Sequence, residues 1–306
     1  QFEAPRTATL KQMTEGLLLL TLGLFMKVAL ADGQLAPTAN DVFGFTGPLL
    51  AIDTWIGVLA FSGQIFFDFA GYSTCAIGAA LCLGFILPEN FKYPYAAVGF
   101  SDFWRRWHIT LSAWLRDYLY IPLGGNRKGE LKTYINLMLT MLLGGLWHGA
   151  NWTFVVWGGL HGFYLWVEKF VRDVWSKKNG HQNVAVAGIS GSNTSMAFIY
   201  ALFTFFLINV TWVFFRAGTF SQAWTMLGSM FGIIKDGEPL LTTLAIIKVW
   251  VIVSLMVIVH WWMRNTSVLQ LSQKIPWWVL AIVWALMLMA LALSQESSSS
   301  FIYFQF

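Results

Sequence analysis

Apolar residues in this chain run in long blocks separated by short polar joints, a pattern of membrane-crossing helices and not of half-buried strands. Seven blocks stand out, at residues 17–31, 49–87, 133–147, 152–167, 196–215, 241–263 and 276–293. A helix needs about 20 apolar residues to cross a bilayer, and fewer where neighbouring helices shelter it. The second block is 39 residues long and contains Gly57, Gly63, Gly71, Gly78 and Gly84. Those glycines predict an interruption, so the block is read as one broken, tilted passage. The fold expected is all-α and polytopic, with tilted and re-entrant helices around a central tunnel.

Lys and Arg set the orientation. Segment 92–132 carries Lys92, Arg105, Arg106, Arg116, Arg127, Lys128 and Lys132, and segment 168–195 carries Lys169, Arg172, Lys177 and Lys178. Both belong on the cytoplasmic side, joined by a hairpin of the third and fourth blocks. Loop 32–48, with Asp32 and Asp41 but no Lys or Arg, then lies outside, as do loop 216–240 and the C-terminus. Residues 104–119 are plotted as a helix at about 100° per residue. Trp104, Trp107, Leu111, Trp114, Leu115, Tyr118 and Leu119 then share an arc of about 140°. Arg105, Arg106, Arg116 and Asp117 fall outside it, whereas His108 falls inside. One amphipathic helix at the cytoplasmic interface is predicted, with His108 turned inward.

Composition narrows the class. Of 306 residues, 57% are hydrophobic and 11% charged, with mean hydropathy +0.60; soluble domains carry about 25% charge. An ordinary soluble enzyme, a disordered chain and a disulfide-stapled secreted domain are excluded. Cys75 and Cys82 lie about 10 Å apart along a helix, too far for a disulfide, and read as small buried hydrophobes. Residues 1–16 are polar and do not read as a signal peptide.

Five histidines are candidates for chemistry. His148 lies in Gly144-Gly145-Leu146-Trp147-His148-Gly149-Ala150-Asn151, between two apolar blocks. A polar ring at membrane depth is expensive and often marks a pathway or reactive site, but a packing histidine with a satisfied hydrogen bond fits the pattern equally. His108 is either an inward functional ring or an interfacial one. His161, in Gly158-Gly159-Leu160-His161-Gly162, reads better as a structural residue in a small-residue helix interface. His181, in a polar loop, and His260, beside Trp261 and Trp262, read as structural. Asp68, among Phe66, Phe67 and Phe69, reads as a buried partner for a cation or part of a polar cavity, with a structural pairing to Tyr72 or an arginine favoured over catalysis. Spacings for metal ligands, a serine nucleophile elbow, a P-loop and a dinucleotide fingerprint are all missing. No metal and no nucleic acid is therefore expected.

Several motifs in order carry a resemblance. They are Phe67-Asp68-Phe69-Ala70-Gly71-Tyr72-Ser73, Leu87-Pro88-Glu89-Asn90-Phe91, Phe103-Trp104-Arg105-Arg106-Trp107-His108-Ile109-Thr110-Leu111-Ser112, Asp117-Tyr118-Leu119-Tyr120-Ile121-Pro122-Leu123-Gly124-Gly125 and Gly145-Leu146-Trp147-His148-Gly149. Together with the closing Phe301-Ile302-Tyr303-Phe304-Gln305-Phe306, they resemble the membrane-bound O-acyltransferase family. The likeness is greatest to its bacterial branch of alginate O-acetyltransferase membrane subunits and teichoic acid D-alanyl transfer proteins. The resemblance implies a single membrane domain over residues 1–306. Members usually carry further spans before the region matching Gln1, so the first few spans of the usual length are expected to be lacking.

The resemblance also implies that His148 is catalytic and that His108 lies near the same tunnel. It further implies transfer of an acyl group, acetyl above others, from a cytoplasmic donor towards an extracytoplasmic polysaccharide. Acetyl-CoA or another acyl thioester would be the donor, with no bound cofactor. The expected partners are the lipid bilayer and a separate extracytoplasmic acetyltransferase protein, and the expected location is the bacterial inner membrane, in many passes. A neutral imidazole suits His148 as general base. Arg105, Arg106 and Arg116 form a candidate cationic approach for the donor's phosphates, although positive-inside topology alone would place arginines there. Two other readings stay open: a transporter, which calls for paired interrupted helices in two halves, and an inactive structural subunit.

Overall fold

A computed structural model describes residues 1, 6–179 and 194–294. The described residues form helices and one isolated parallel bridge, between Leu49 and Glu238. They pack as two compact units. One comprises Gln1–Phe45, Ile52–Phe91 and the described residues from Pro239 onward, the other Thr46–Ala51 and Lys92–Glu238. Among the described residues four helices are long and apolar enough to cross a membrane: Leu10–Gly44, Ala51–Cys82, Thr194–Arg216 and Thr243–Met263. Trp277–Leu293 is a shorter apolar helix. The all-α, multi-pass expectation is met.

In the first unit, α1 (Leu10–Leu24) opens on a capping box in which the Thr9 hydroxyl accepts from Gln12 N–H and the Gln12 side chain accepts from Thr9 N–H. It runs unbroken through a π-helical stretch (Phe25–Leu35) into α2 (Ala36–Gly44). The loop expected over 32–48 is therefore helical as far as Gly44. Asp32 is buried there because it has a cation: Lys27 Nζ lies 3.0 Å from Asp32 Oδ1 and 3.0 Å from Asp68 Oδ2. Residues five apart sit about 140° apart on an α-helix, and the wider π turn brings Lys27 and Asp32 onto one side. Asp68 is thus the buried partner of a cation, Lys27.

The expected interruption in the second block is absent. Helix α3 (Ala51–Cys82) is continuous, about 48 Å long, and its glycines serve close contact, not breakage. A Cβ on Gly71 would lie 2.7 Å from Gly23 O, and one on Gly78 would lie 2.6 Å from Gly16 O. The Cys75 and Cys82 sulfurs fill the space over Gly23 and Gly16. A seam of glycine and cysteine at helical spacing lets α1 and α3 touch backbone to backbone. The chain turns away at Gly84, where φ is +80°.

The second unit contains α4 (Phe100–Trp104), α5 (Ile109–Leu115), a short π-helical turn (Arg116–Tyr120), α6 (Glu130–Trp147), α7 (Trp152–Asn179), α8 (Thr194–Arg216) and α9 (Phe220–Met230). The first unit resumes with α10 (Thr243–Met263), α11 (Val268–Ser272) and α12 (Trp277–Leu293). Helices α6 and α7 form the expected hairpin, but neither is among the four helices that qualify as spans. Thr133, Asn136 and Thr140 are buried on α6, and His161 and Glu168 on α7, so polar groups interrupt both arms. Residues 168–179, expected to be loop, continue α7. His181 lies outside the described residues. His260 is buried against Phe66 with ring centroids 4.5 Å apart.

Candidate active site

His148 caps the C-terminus of α6, its N–H donating to Gly145 O at 3.0 Å. Helix α7 begins four residues later, at Trp152. The Asn151 side chain holds the turn, accepting from Thr153 N–H at 3.1 Å and donating to Gly218 O at 3.2 Å. The hairpin arms meet at glycines: a Cβ on Gly145 would lie 2.3 Å from Phe154 O, and one on Gly158 would lie 2.3 Å from Met141 O. Backbone contact this close fixes the tip rigidly. The His148 ring sits among aromatics, with centroids 5.0 Å from Trp147, 5.1 Å from Trp157 at 90°, and 5.1 Å from Phe215.

His108 approaches the same place from another element. Its ring centroid is 6.4 Å from Trp147, so both imidazoles flank one indole. The predicted helix over 104–119 is not continuous, however. His108 takes a left-handed conformation, φ 44° and ψ 56°, between α4 and α5. Non-glycine residues hold such geometry at about 1–3 kcal/mol and concentrate at functional sites. The break resets the helical phase: Trp107 and Leu115 are buried as expected, but Trp114 is 52% and Tyr118 70% exposed. Burial, opposed by its own backbone hydrogen bond, pushes the His108 imidazole down to about 4, so it is neutral at pH 7.

The three arginines have different surroundings. Arg105 is exposed and makes no ion pair among the described residues. Arg106 is held by Asp102 at 2.9 Å and donates to Lys92 O at 3.2 Å. Arg116 pairs with Asp117 at 2.7 Å on the surface and holds that carboxyl below its ordinary value.

One buried residue escaped the sequence reading. Glu168 Oε2 accepts from Phe100 N–H and from Ser101 N–H, the latter at 3.1 Å, while Thr204 Oγ1 accepts from Gly99 N–H at 3.1 Å. A carboxylate capping the first turn of α4 pins the segment leading to His108. In the sequence Glu168 was only the first charge after an apolar block. Around these residues Trp107, Trp212 and Trp157 form a packed run, with centroids 5.2 Å and 6.0 Å apart.

Comparison with known proteins completes the picture. The family model for membrane-bound O-acyltransferases matches residues 14–191, which include His108 and His148. A probable alginate O-acetylase AlgI of Azotobacter vinelandii is 46% identical over 74% of this chain and 42% of its own length. A peptidoglycan O-acetyltransferase of Helicobacter pylori is 37% identical over 95% of this chain and 56% of its own. A teichoic acid D-alanyltransferase of Streptococcus thermophilus is 29% identical over 56% of this chain and 43% of its own. The chain spans about half the length of these relatives. With its family model matched over more than half of its residues, the chain belongs to the membrane-bound O-acyltransferase family.

Proposed function

We propose that this chain is the membrane core of a bacterial inner-membrane O-acetyltransferase, passing acetyl from a cytoplasmic thioester such as acetyl-CoA towards an extracytoplasmic polysaccharide. The observation that carries the reading is the pair of imidazoles on Trp147, both within the segment matching the family. His148 acts as general base. As the acceptor hydroxyl oxygen attacks the thioester carbonyl carbon, its proton passes to His148. The C–S bond then breaks, and the proton moves on to the departing thiolate, leaving an ester and a thiol. His108, held neutral, lines the approach. Arg105, exposed beside it, offers its guanidinium to the donor's phosphates, whereas Arg106 and Arg116 contribute less because Asp102 and Asp117 engage them. A separate extracytoplasmic protein carries the acyl group onward to the glycan.

Native membranes supplied with radiolabelled acetyl-CoA on the cytoplasmic face test this reading. Label is expected in the exported glycan fraction of membranes containing the protein and not in membranes from a deletion strain. Equal labelling of the two contradicts it.

A further inference from the structure

Beyond His148 and His108, a third imidazole is prepared for the same chemistry. His161, on α7, is fully buried. Its ring is enclosed by Trp157, Trp104 and Phe103, at centroid distances of 4.8, 5.1 and 5.9 Å. Its Nε2 lies 3.1 Å from Thr211 Oγ1. The Thr211 hydroxyl has one proton, and it is spent on Ile208 O at 2.7 Å. Thr211 Oγ1 must therefore accept, so His161 carries its proton on Nε2 and presents Nδ1 as a bare acceptor.

That Nδ1 is buried and has no hydrogen-bond partner among the described residues, and the same holds for the indole N–H groups of Trp104 and Trp157. A buried acceptor left unsatisfied is destabilising by about 1–3 kcal/mol, so one aimed into an aromatic enclosure calls for a ligand. The chemistry required is a hydroxyl, whose O–H donates to Nδ1 and whose oxygen can accept from an indole N–H. Trp157 touches both His161 and His148, so one indole lies against both imidazoles.

We propose that His161, locked as the Nε2–H tautomer by Thr211, binds and orients the acyl acceptor's hydroxyl for attack. The inference rests on the reading of His148 as base. The hydroxyl keeps its proton at Nδ1 until it turns to His148; no proton is transferred to His161.

Two isosteres separate the ring's two sides. In His161→Asn the amide oxygen replaces Nδ1 as acceptor and the Thr211 bond is lost. In His161→Gln the amide N–H can keep the Thr211 bond and the Nδ1 acceptor is lost. Initial rates are measured in native membranes with acetyl-CoA and endogenous glycan, normalised to folded protein. With the endogenous acceptor limiting, His161→Gln should lower the rate about tenfold, the worth of one good hydrogen bond to the acceptor's hydroxyl, with KM for acetyl-CoA unchanged. His161→Asn should stay closer to the parent, Thr211→Val should behave like His161→Gln, and Thr211→Ser should restore the rate.

Overturning results are an active Gln variant with an inactive Asn variant, equal losses in both, or losses that vanish after normalisation. The last of these would mean that the hydroxyl is a structural water. His148→Gln measured alongside keeps the failures apart: full activity there removes the base, whereas loss there with an active His161→Gln removes only this proposal.

Discussion

Replacing Gly158 with Ala tests the helix crossing that holds His148 in place. The added Cβ would stand 2.3 Å from Met141 O and 3.2 Å from Gly145 Cα, where ordinary contact is 3.4–4 Å. Both obstacles are backbone and cannot rotate aside, so α6 and α7 must part by about an ångström. Overpacking of this kind destabilises by about 1–3 kcal/mol, and the lower unfolded-state entropy of Ala returns about 0.5–1 kcal/mol. A net loss near 1–2 kcal/mol corresponds to a fall in Tm of about 2–8 °C. The effect on transfer is greater, since a 1 Å misplacement of a reacting group lowers rates about 10²-fold. The neighbouring Gly159 is the contrast. A Cβ there meets only Leu142 Cδ2, at 3.4 Å, so Gly159→Ala should hold or raise Tm and keep activity. Thermal unfolding in detergent and acetyl transfer in membranes read both quantities. Equal behaviour of the two variants would refute the account of the crossing.

Lys27→Met removes the cation facing Asp32 and Asp68, both buried. It should destabilise the protein by about 3–5 kcal/mol, visible as loss of folded protein in detergent, with Lys27→Arg milder; an unchanged melting curve would dismiss the triad as a structural pairing. Topology is read by single cysteines at Lys128 and Asp236, both exposed. They should label from opposite faces with an impermeant reagent in spheroplasts, and labelling from one face would overturn the assigned orientation.

Element type and order were legible because seven apolar blocks separated by charged joints admit only helices. Boundaries failed where polar residues had hidden partners. Asp32 looked like a loop residue because Lys27, five positions earlier, pairs with it only on a π turn. The glycines of α3 looked like breaks because their role, contact with Gly16 and Gly23, depends on a helix distant in sequence. In the candidate site His148 was conspicuous as a polar ring between apolar blocks, but the pattern alone left a packing role equally open, and the family motif around it decided between them. His108 was found by a helical wheel that the structure does not support. The wheel assumed one phase across 104–119, and the left-handed residue that breaks it is His108 itself. Glu168 was not singled out and His161 was read as structural, because their contacts with Phe100, Ser101 and Thr211 are encoded by no local pattern.

The central claim, that His148 is the base for acyl transfer, is tested most directly by His148→Gln. Glutamine keeps hydrogen-bonding capacity at the hairpin tip and cannot take up a proton near neutral pH. General-base catalysis contributes about 10²–10⁴-fold. The variant should therefore insert and melt like the parent yet transfer labelled acetyl from acetyl-CoA at least about a hundredfold more slowly. A correctly inserted His148→Gln protein retaining more than about a tenth of the parental rate would contradict the account, because it falls outside that range.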